Sequence, residues 1–560
     1  MTGMTDTRRA VLWGVFSVSL VMLWDGWSKH NGQPSMFAPP PPAVTAPAQA
    51  GAAGVPTVAG AASAAAVAGV AALPAAAAGG PVSQKVDITT DLVQATFDTR
   101  GGSIVRMALP RYKDEHDAKK PVMLFDQSAE RVYQADSGLI PRMAGEAALP
   151  NHLTVMNLLP GPRTLADGQN TLTLAFESPD QGGVKLRKSY TFTRGDYAIK
   201  VRHEVVNGTA APIAPQLYLQ LARDGTVPSS SMFMGPTAFT GPAVYTEGGK
   251  FQKVPFTDIE KGKADHAKSA DNGWIAMVQH HFVGAWLVGD KLERSFQTKR
   301  EGTNLYATSM TLPLAPIAAG ATQAVESTLY AGPQEEKKLE ALAPGLELVK
   351  DYGWVTILAK PLFWLLDKLH GLLGNWGWSI VALVVLLKVA FYWLNASAYR
   401  SMGKMKAVNP KVQEMRERYK DDPQKMQQEM MRIYREEKVN PLGGCLPIFI
   451  QMPFFIALYS VLLASVEMRG APWIGWIHDL SVQDPLYILP ALMTASTLFQ
   501  TWLNPTPPDP TQAKMMWIMP LVFSVMFLFF PAGLVLYWFV NNLLAIAQQW
   551  IINRQLGLNR

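Results

Sequence analysis

The sequence predicts a multi-pass α-helical membrane protein that carries an all-β domain outside the membrane. Three observations predict it. Long apolar runs follow one another from residue 376 onward. Period-two alternation of apolar and polar residues fills the middle of the chain, as in strands with one buried face. Residues 31–84 contain no Asp, Glu, Lys or Arg and separate that middle from a short N-terminal apolar run. Composition agrees, since 48% hydrophobic residues and a mean hydropathy of +0.06 average two unlike parts. The only cysteine, Cys445, excludes an intramolecular disulfide and a Cys-based metal site. The absence of an internal repeat counts against an inverted-repeat transporter.

Residues 1–28 read as a transmembrane signal anchor. Arg8 and Arg9 precede the apolar run 11–23, and no A-x-A-like cleavage site follows. A cleaved signal peptide is the alternative. The arginines hold this end in the cytoplasm, so the chain emerges on the far side. Residues 29–84, rich in Ala, Pro and Gly, form a linker that cannot build a core. A rival reading makes residues 58–78 an Ala-rich span, which would place the next domain in the cytoplasm.

Residues 85–348 read as a β-sandwich domain with a C-terminal helix. TLTLAFES (171–178), VKLRKSYTFTR (184–194) and YAIKVRHEVVNG (197–208) alternate strictly, with turn residues between them. Their number and length suggest two packed sheets. His280 and His281 are adjacent; in a strand they would point to opposite faces and make no ligand pair. The carboxylates form no paired arrangement, so a scaffold or docking domain is favoured over a sugar-binding or enzymatic sandwich. Residues 335–348 read as a charged helix. Residues 349–374 follow with Trp354, Leu358, Leu362, Leu365, Leu366, Leu369 and Leu373 at helical spacing, interrupted by Lys360, Asp367, Lys368 and His370. That pattern suits an amphipathic helix lying in the membrane interface; a helix capping the β domain is the alternative.

Residues 375–560 hold five predicted spans, at about 376–399, 443–466, 485–504, 515–531 and 533–552. The 38 uncharged residues 515–552 would extend about 57 Å as one helix, too long for one crossing, and Pro531-Ala532-Gly533 is the natural bend. Loop 400–440 carries eleven Lys/Arg against seven Asp/Glu, which places it in the cytoplasm. Asp421-Asp422-Pro423 starts a second helix there, making a helical hairpin. Its charges suit docking to something acidic, such as ribosomal RNA or lipid headgroups, or simply a solvated hairpin. With the anchor, this gives six spans with both termini cytoplasmic.

One residue breaks the apolar pattern of the first core span. Lys388 lies about 16–18 Å from either end of a straight helix over 376–399, near mid-membrane. A charge there costs at least ~2.5–3.5 kcal/mol. No Asp or Glu occurs in the four later spans, so a structural ion pair lacks a partner within them. A neutral lysine, or one facing water among the helices, remains. Tyr537, Asn541, Ala545 and Gln548 share one face of the last span. Gln451 lies in the second core span, and Thr494, Ser496, Thr497 and Gln500 in the third. Each is commonly a helix–helix hydrogen bond; together with an unpaired cation they favour a wet groove. Such a groove handles either polypeptide or an anion.

The segments EEKVNPLGGCLPIFIQMPFFIALY (436–459), IHDLSVQDPLYILP (477–490) and FFPAGLVLYWFVNNLLAIAQQW (529–550) resemble the YidC-type membrane protein insertases. NWGWSI (375–380) and the hairpin MRERYKDDPQKMQQEMMRIYREEK (415–438) fit as well. GWIAMVQHHFVGAWL (273–287) resembles the large periplasmic domain of the Gram-negative form. The resemblance implies a five-helix insertase core with a cytoplasmic hairpin and a periplasmic supersandwich, in the bacterial inner membrane. It implies insertion and folding of newly made membrane proteins, alone or beside the Sec translocon, with the ribosome and membrane lipids as further partners. It implies no enzyme activity, no cofactor, no metal and no small-molecule substrate. The substrate groove would comprise Lys388, Gln451, Tyr537, Asn541 and Gln548, with Lys388 where the family commonly has arginine. An apolar slide would comprise Met452, Phe455, Phe527 and Phe530. The recruiting hairpin would offer Lys404, Lys406, Arg416, Arg418, Arg432 and Arg435. The helix 335–348 would touch the Sec machinery.

Overall fold

A computed structural model describes residues 83–555, except 115, 116, 118, 129, 144, 145, 228–237, 420, 421, 438–445 and 505–509. The expected anchor, nearly all of the linker, and Cys445 lie outside the described residues.

The alternating segments form two nine-stranded antiparallel sheets. One runs from the edge strand Lys85–Thr89 through Val132–Ile140, Gln216–Asp224 and Leu305–Pro313 to Arg294–Gly302 and the short Ser269–Ala270. The other runs from Lys250–Lys253 through Trp274–Val278, Phe282–Leu287, Thr322–Pro333, Ala198–Asn207 and Val184–Thr193 to Asn157–Leu158. Along Val184–Thr193 every second side chain is buried, as the period predicts. The inward faces share one apolar core that includes Phe97, Phe125, Tyr190, Trp274 and Trp286. A short helix α1, Phe256–Glu260, sits in one connection.

Lys188 takes an inward slot between Leu186 and Tyr190. Its ammonium crosses the sandwich to donate to the carbonyls of Gly101 and Ser137, at 2.7 and 2.5 Å. Beside it, Nε2 of His203 lies 2.9 Å from the Ser137 hydroxyl. Burial pulls Lys188 down to about 7 and His203 to about 3.

Two expectations for this domain are corrected. His280 and His281 do not sit in a strand: they form the turn between Trp274–Val278 and Phe282–Leu287, and their rings stack 3.8 Å apart. The charged helix α2 covers only Glu336–Leu342. Pro344 disfavours helical backbone at Ala343, and Gly345 adopts φ +73°, so the chain turns into a 3₁₀ segment, Leu346–Val349.

The remaining helices are α3 Thr356–Leu373, α4 Trp376–Ala390, α5 Tyr392–Arg418, α6 Pro423–Glu436, α7 Leu446–Ala464, α8 Ile488–Leu503, α9 Pro510–Phe527 and α10 Ala532–Gln555. Helix α3 buries Ala359, Leu362, Phe363 and Leu366 and exposes Trp354, Ile357, Trp364 and Leu372 around and along it. Asn375 caps α4 by accepting from the Trp378 amide. Asp422 caps α6 through the Lys425 amide with Pro423 at the first helical position, as the turn signal predicts. The bend between α9 and α10 falls at Pro531, where the amides of Ala532 and Gly533 donate to the carbonyls of Val482 and Leu480 in the loop between α7 and α8.

The first core span is not the straight rod expected from sequence. Helices α4 and α5 meet at Phe391 with a bend of 65°. Among the described residues α10 alone is long and apolar enough to cross a membrane unaided, and the bent pair qualifies when taken together. Residues Gln451–Ala464 and Ala513–Phe527 are shorter apolar helical stretches.

Candidate functional site

The bend changes the setting of Lys388. It lies in the last turn of α4, two residues before that helix ends, and is half-buried. The carbonyl end of a helix carries partial negative charge, which favours a cation in its final turn. Among the described residues, Lys388 makes no ion pair and no hydrogen bond. The distance argument drawn on a straight helix therefore gives way to a local one: the cation sits at a break, beside a helix terminus.

The polar residues expected around it divide. Gln548 is buried and donates to the Tyr392 carbonyl at 3.2 Å, tying α10 to the far side of the break. Gln451 of α7 donates to the Asn541 side chain of α10, also at 3.2 Å. Tyr537 is buried against the Phe455 ring, 6.2 Å between centroids. Ser496 and Thr497 face α10 and meet Asn542, whose amide donates to the Ser496 hydroxyl at 2.9 Å and to the Thr497 hydroxyl at 3.4 Å. Gln549 donates to Asn504 at 3.0 Å. Sequence reading missed Asn542 and Gln549. The signal was present: they are seven residues apart, two helical turns, so they share a second polar face of α10.

The apolar residues expected to form a slide also divide. Met452 is half exposed. Phe455 stacks on Trp538 at 4.8 Å, and Phe527 and Phe530 are buried around the same indole at 4.7 and 5.6 Å. Trp538, absent from the sequence-derived set, is the centre that gathers them. On α9, Leu521, Val522, Phe523 and Val525 are exposed.

In the hairpin, Val408, Val412 and Met415 of α5 pack against Met426, Met430, Ile433 and Tyr434. Arg418 pairs with Glu414 at 3.1 Å, and Arg432 with Glu429 and Glu436 at 3.0 and 3.3 Å. Lys404 and Arg435 are exposed and Arg416 is half-buried. The side chain of Lys406 lies outside the described residues. No group of three or more His, Cys, Asp or Glu able to hold a metal occurs among the described residues.

Residues 85–365 match the family described as YidC periplasmic domain, and residues 368–558 the one described as 60Kd inner membrane protein. A membrane protein insertase YidC from Cupriavidus necator is 57% identical over 556 residues, 99% of this chain and 98% of its own length. The chain belongs to the YidC family of membrane protein insertases. A family member from Ralstonia nicotianae is 55% identical over 558 residues, 99% of either chain. A solved active YidC insertase is similar at 17% identity and a TM-score of 0.40, covering 83% of this chain and 92% of that one. Membership makes the sandwich the periplasmic domain of an inner-membrane insertase whose clients are membrane proteins.

Proposed function

We propose that this insertase receives its clients in a hydrated groove among α4, α7 and α10, open to the cytoplasm, with Lys388 as the cation that draws in an acidic or polar tail. The single observation behind this reading is Lys388 itself, half-buried in the helical core without an ion pair among the described residues. A cation so placed is costly unless water reaches it. It also lowers the cost of moving a carboxylate into the membrane. Lysine is a point charge and does not offer the two-pronged grip of arginine, so charge rather than fork geometry does the recruiting. In this proposal the chain crosses the membrane six times with both ends cytoplasmic, and α3 lies in the outer interface through its exposed Ile357 and Trp364, with Trp354 in the turn just before it. The α5–α6 hairpin meets the arriving client and the ribosome, and α2 faces the Sec translocon.

The test is insertion of a small single-span client by purified, reconstituted full-length protein. Lys388→Arg is expected to retain insertion, and Lys388→Glu to lose it for clients with acidic tails. Equal insertion by Lys388→Glu removes the groove role.

A further inference from the structure

The periplasmic sandwich holds the outer end of α7 by three separate groups. Lys350, in the connector leaving the sandwich, is fully enclosed and bonds both carboxylate oxygens of Glu467, at 3.1 and 3.2 Å. Its ammonium also sits 3.6 Å from the centroid of the Phe363 ring of α3. Glu467 follows α7 by three residues, and its neighbour Val466 is buried within the sandwich's own apolar core.

The second group is His281, in the turn of the Trp274–Leu287 hairpin. Its Nε2 lies 2.9 Å from the Leu463 carbonyl, in the last turn of α7. The final carbonyls of a helix have no partner within it, so the sandwich supplies one. The tautomer follows from the other ring nitrogen: the Arg469 guanidinium donates to Nδ1 at 3.3 Å, which leaves the proton on Nε2. Arg469 is the third group. It donates to the Lys113 carbonyl at 2.6 Å and lies over the Phe282 ring.

Helix α7 carries Gln451, Met452 and Phe455 about 12–18 Å from the Leu463 contact. We propose that Lys350, in the connector, and Glu467 are positioning residues for insertion: packed on Phe363 of α3, they fix the outer end of α7 and thereby the side of the groove that it forms. The inference rests on the groove reading above.

The test uses the full chain, reconstituted, with Lys350→Met and the exchange Lys350→Glu with Glu467→Lys. Two further readouts accompany insertion: protease resistance of the sandwich, and labelling of a Met452→Cys reporter in a Cys445→Ser background by a membrane-impermeant maleimide added outside. Lys350→Met leaves a buried carboxylate without its partner and is expected to cut insertion about tenfold. The sandwich should stay protease-resistant, the reporter should become labelled from outside, and the exchange should recover most of the activity. Insertion at the parent level by Lys350→Met, with Lys388→Glu inactive, overturns the clamp and leaves the groove reading standing. Insertion at the parent level by Lys388→Glu overturns the groove reading instead. Loss of insertion together with loss of the protease-resistant sandwich overturns positioning in favour of stability alone.

Discussion

Lys350 and Lys388 are lysines of one chain set in opposite surroundings. Lys350 is enclosed at the junction of sandwich and helices and meets Glu467 and the face of Phe363. Burial lowers its affinity for a proton and raises that of Glu467, while their attraction opposes both shifts. Lys388 is half-buried in the helical core with a helix terminus for company and, among the described residues, no carboxylate. A cation with a fixed partner holds two elements together. A cation without one is available to whatever arrives carrying negative charge. In the proposed reading, whether a counter-ion is built in separates a lysine that fastens from one that recruits.

The strongest way to break that contrast is to give Lys388 a resident carboxylate. Gln548 already reaches the Tyr392 carbonyl, just beyond the bend. Gln548→Glu is expected to reduce insertion of acidic-tailed clients about tenfold, since a fixed anion competes with the tail. Neutral-tailed clients should lose less, and paired insertion assays on the two client types measure the gap.

Removing the partner from Lys350 probes the other side. Glu467→Leu should destabilise the folded chain by about 3–5 kcal/mol, because a buried cation is left uncompensated. The double variant Lys350→Met with Glu467→Leu should regain most of that, since apolar packing replaces an ion pair at little cost. Thermal melts of the purified protein in detergent compare the three.

A third lysine sharpens the contrast inside the sandwich, where Lys188 is satisfied by two carbonyls. Its folded pKa of about 7 lies below the unfolded value of 10.5. The unfolded chain therefore binds more protons between those values, and stability rises with pH across that window and is flat below it. A slope on the order of 1 kcal/mol per pH unit is expected from this group. Lys188→Met should remove that contribution, as read from melting temperatures between pH 7 and 10.

The smallest effect concerns neutral polar contacts. Asn542→Leu removes two hydrogen bonds to α8. Interhelical bonds of this kind contribute about 0.6 kcal/mol each, so a modest drop in melting temperature with near-parent insertion is expected.

Much of this was legible in the chain. Alternation in VKLRKSYTFTR specified a strand because successive side chains must face opposite sides of a sheet, and Val184–Thr193 follows it. Asp422-Pro423 specified a helix start, and Pro531 a break, because both act through the local backbone. Lys388 stood out as the one charge in an apolar run. The bend at Phe391 was not legible, for no proline or glycine marks it. Nor was the core around Trp538, or the burial of Val466 inside a domain more than a hundred residues away in sequence.

By itself, then, the sequence determined that strands fill the middle of the chain and helices its C-terminal part, which family the chain resembles, and that a cation stands where the later apolar runs offer no carboxylate. Those properties depend on period, turn residues and charge, which are local or simply additive along the chain. Only the tertiary structure decided that Lys350 is paired while Lys388 has no partner among the described residues, that His281 caps a helix it does not belong to, and that Gln548 serves a break in another helix. Each of these depends on two surfaces meeting in space, and meeting is a property of packing that no single stretch of sequence carries.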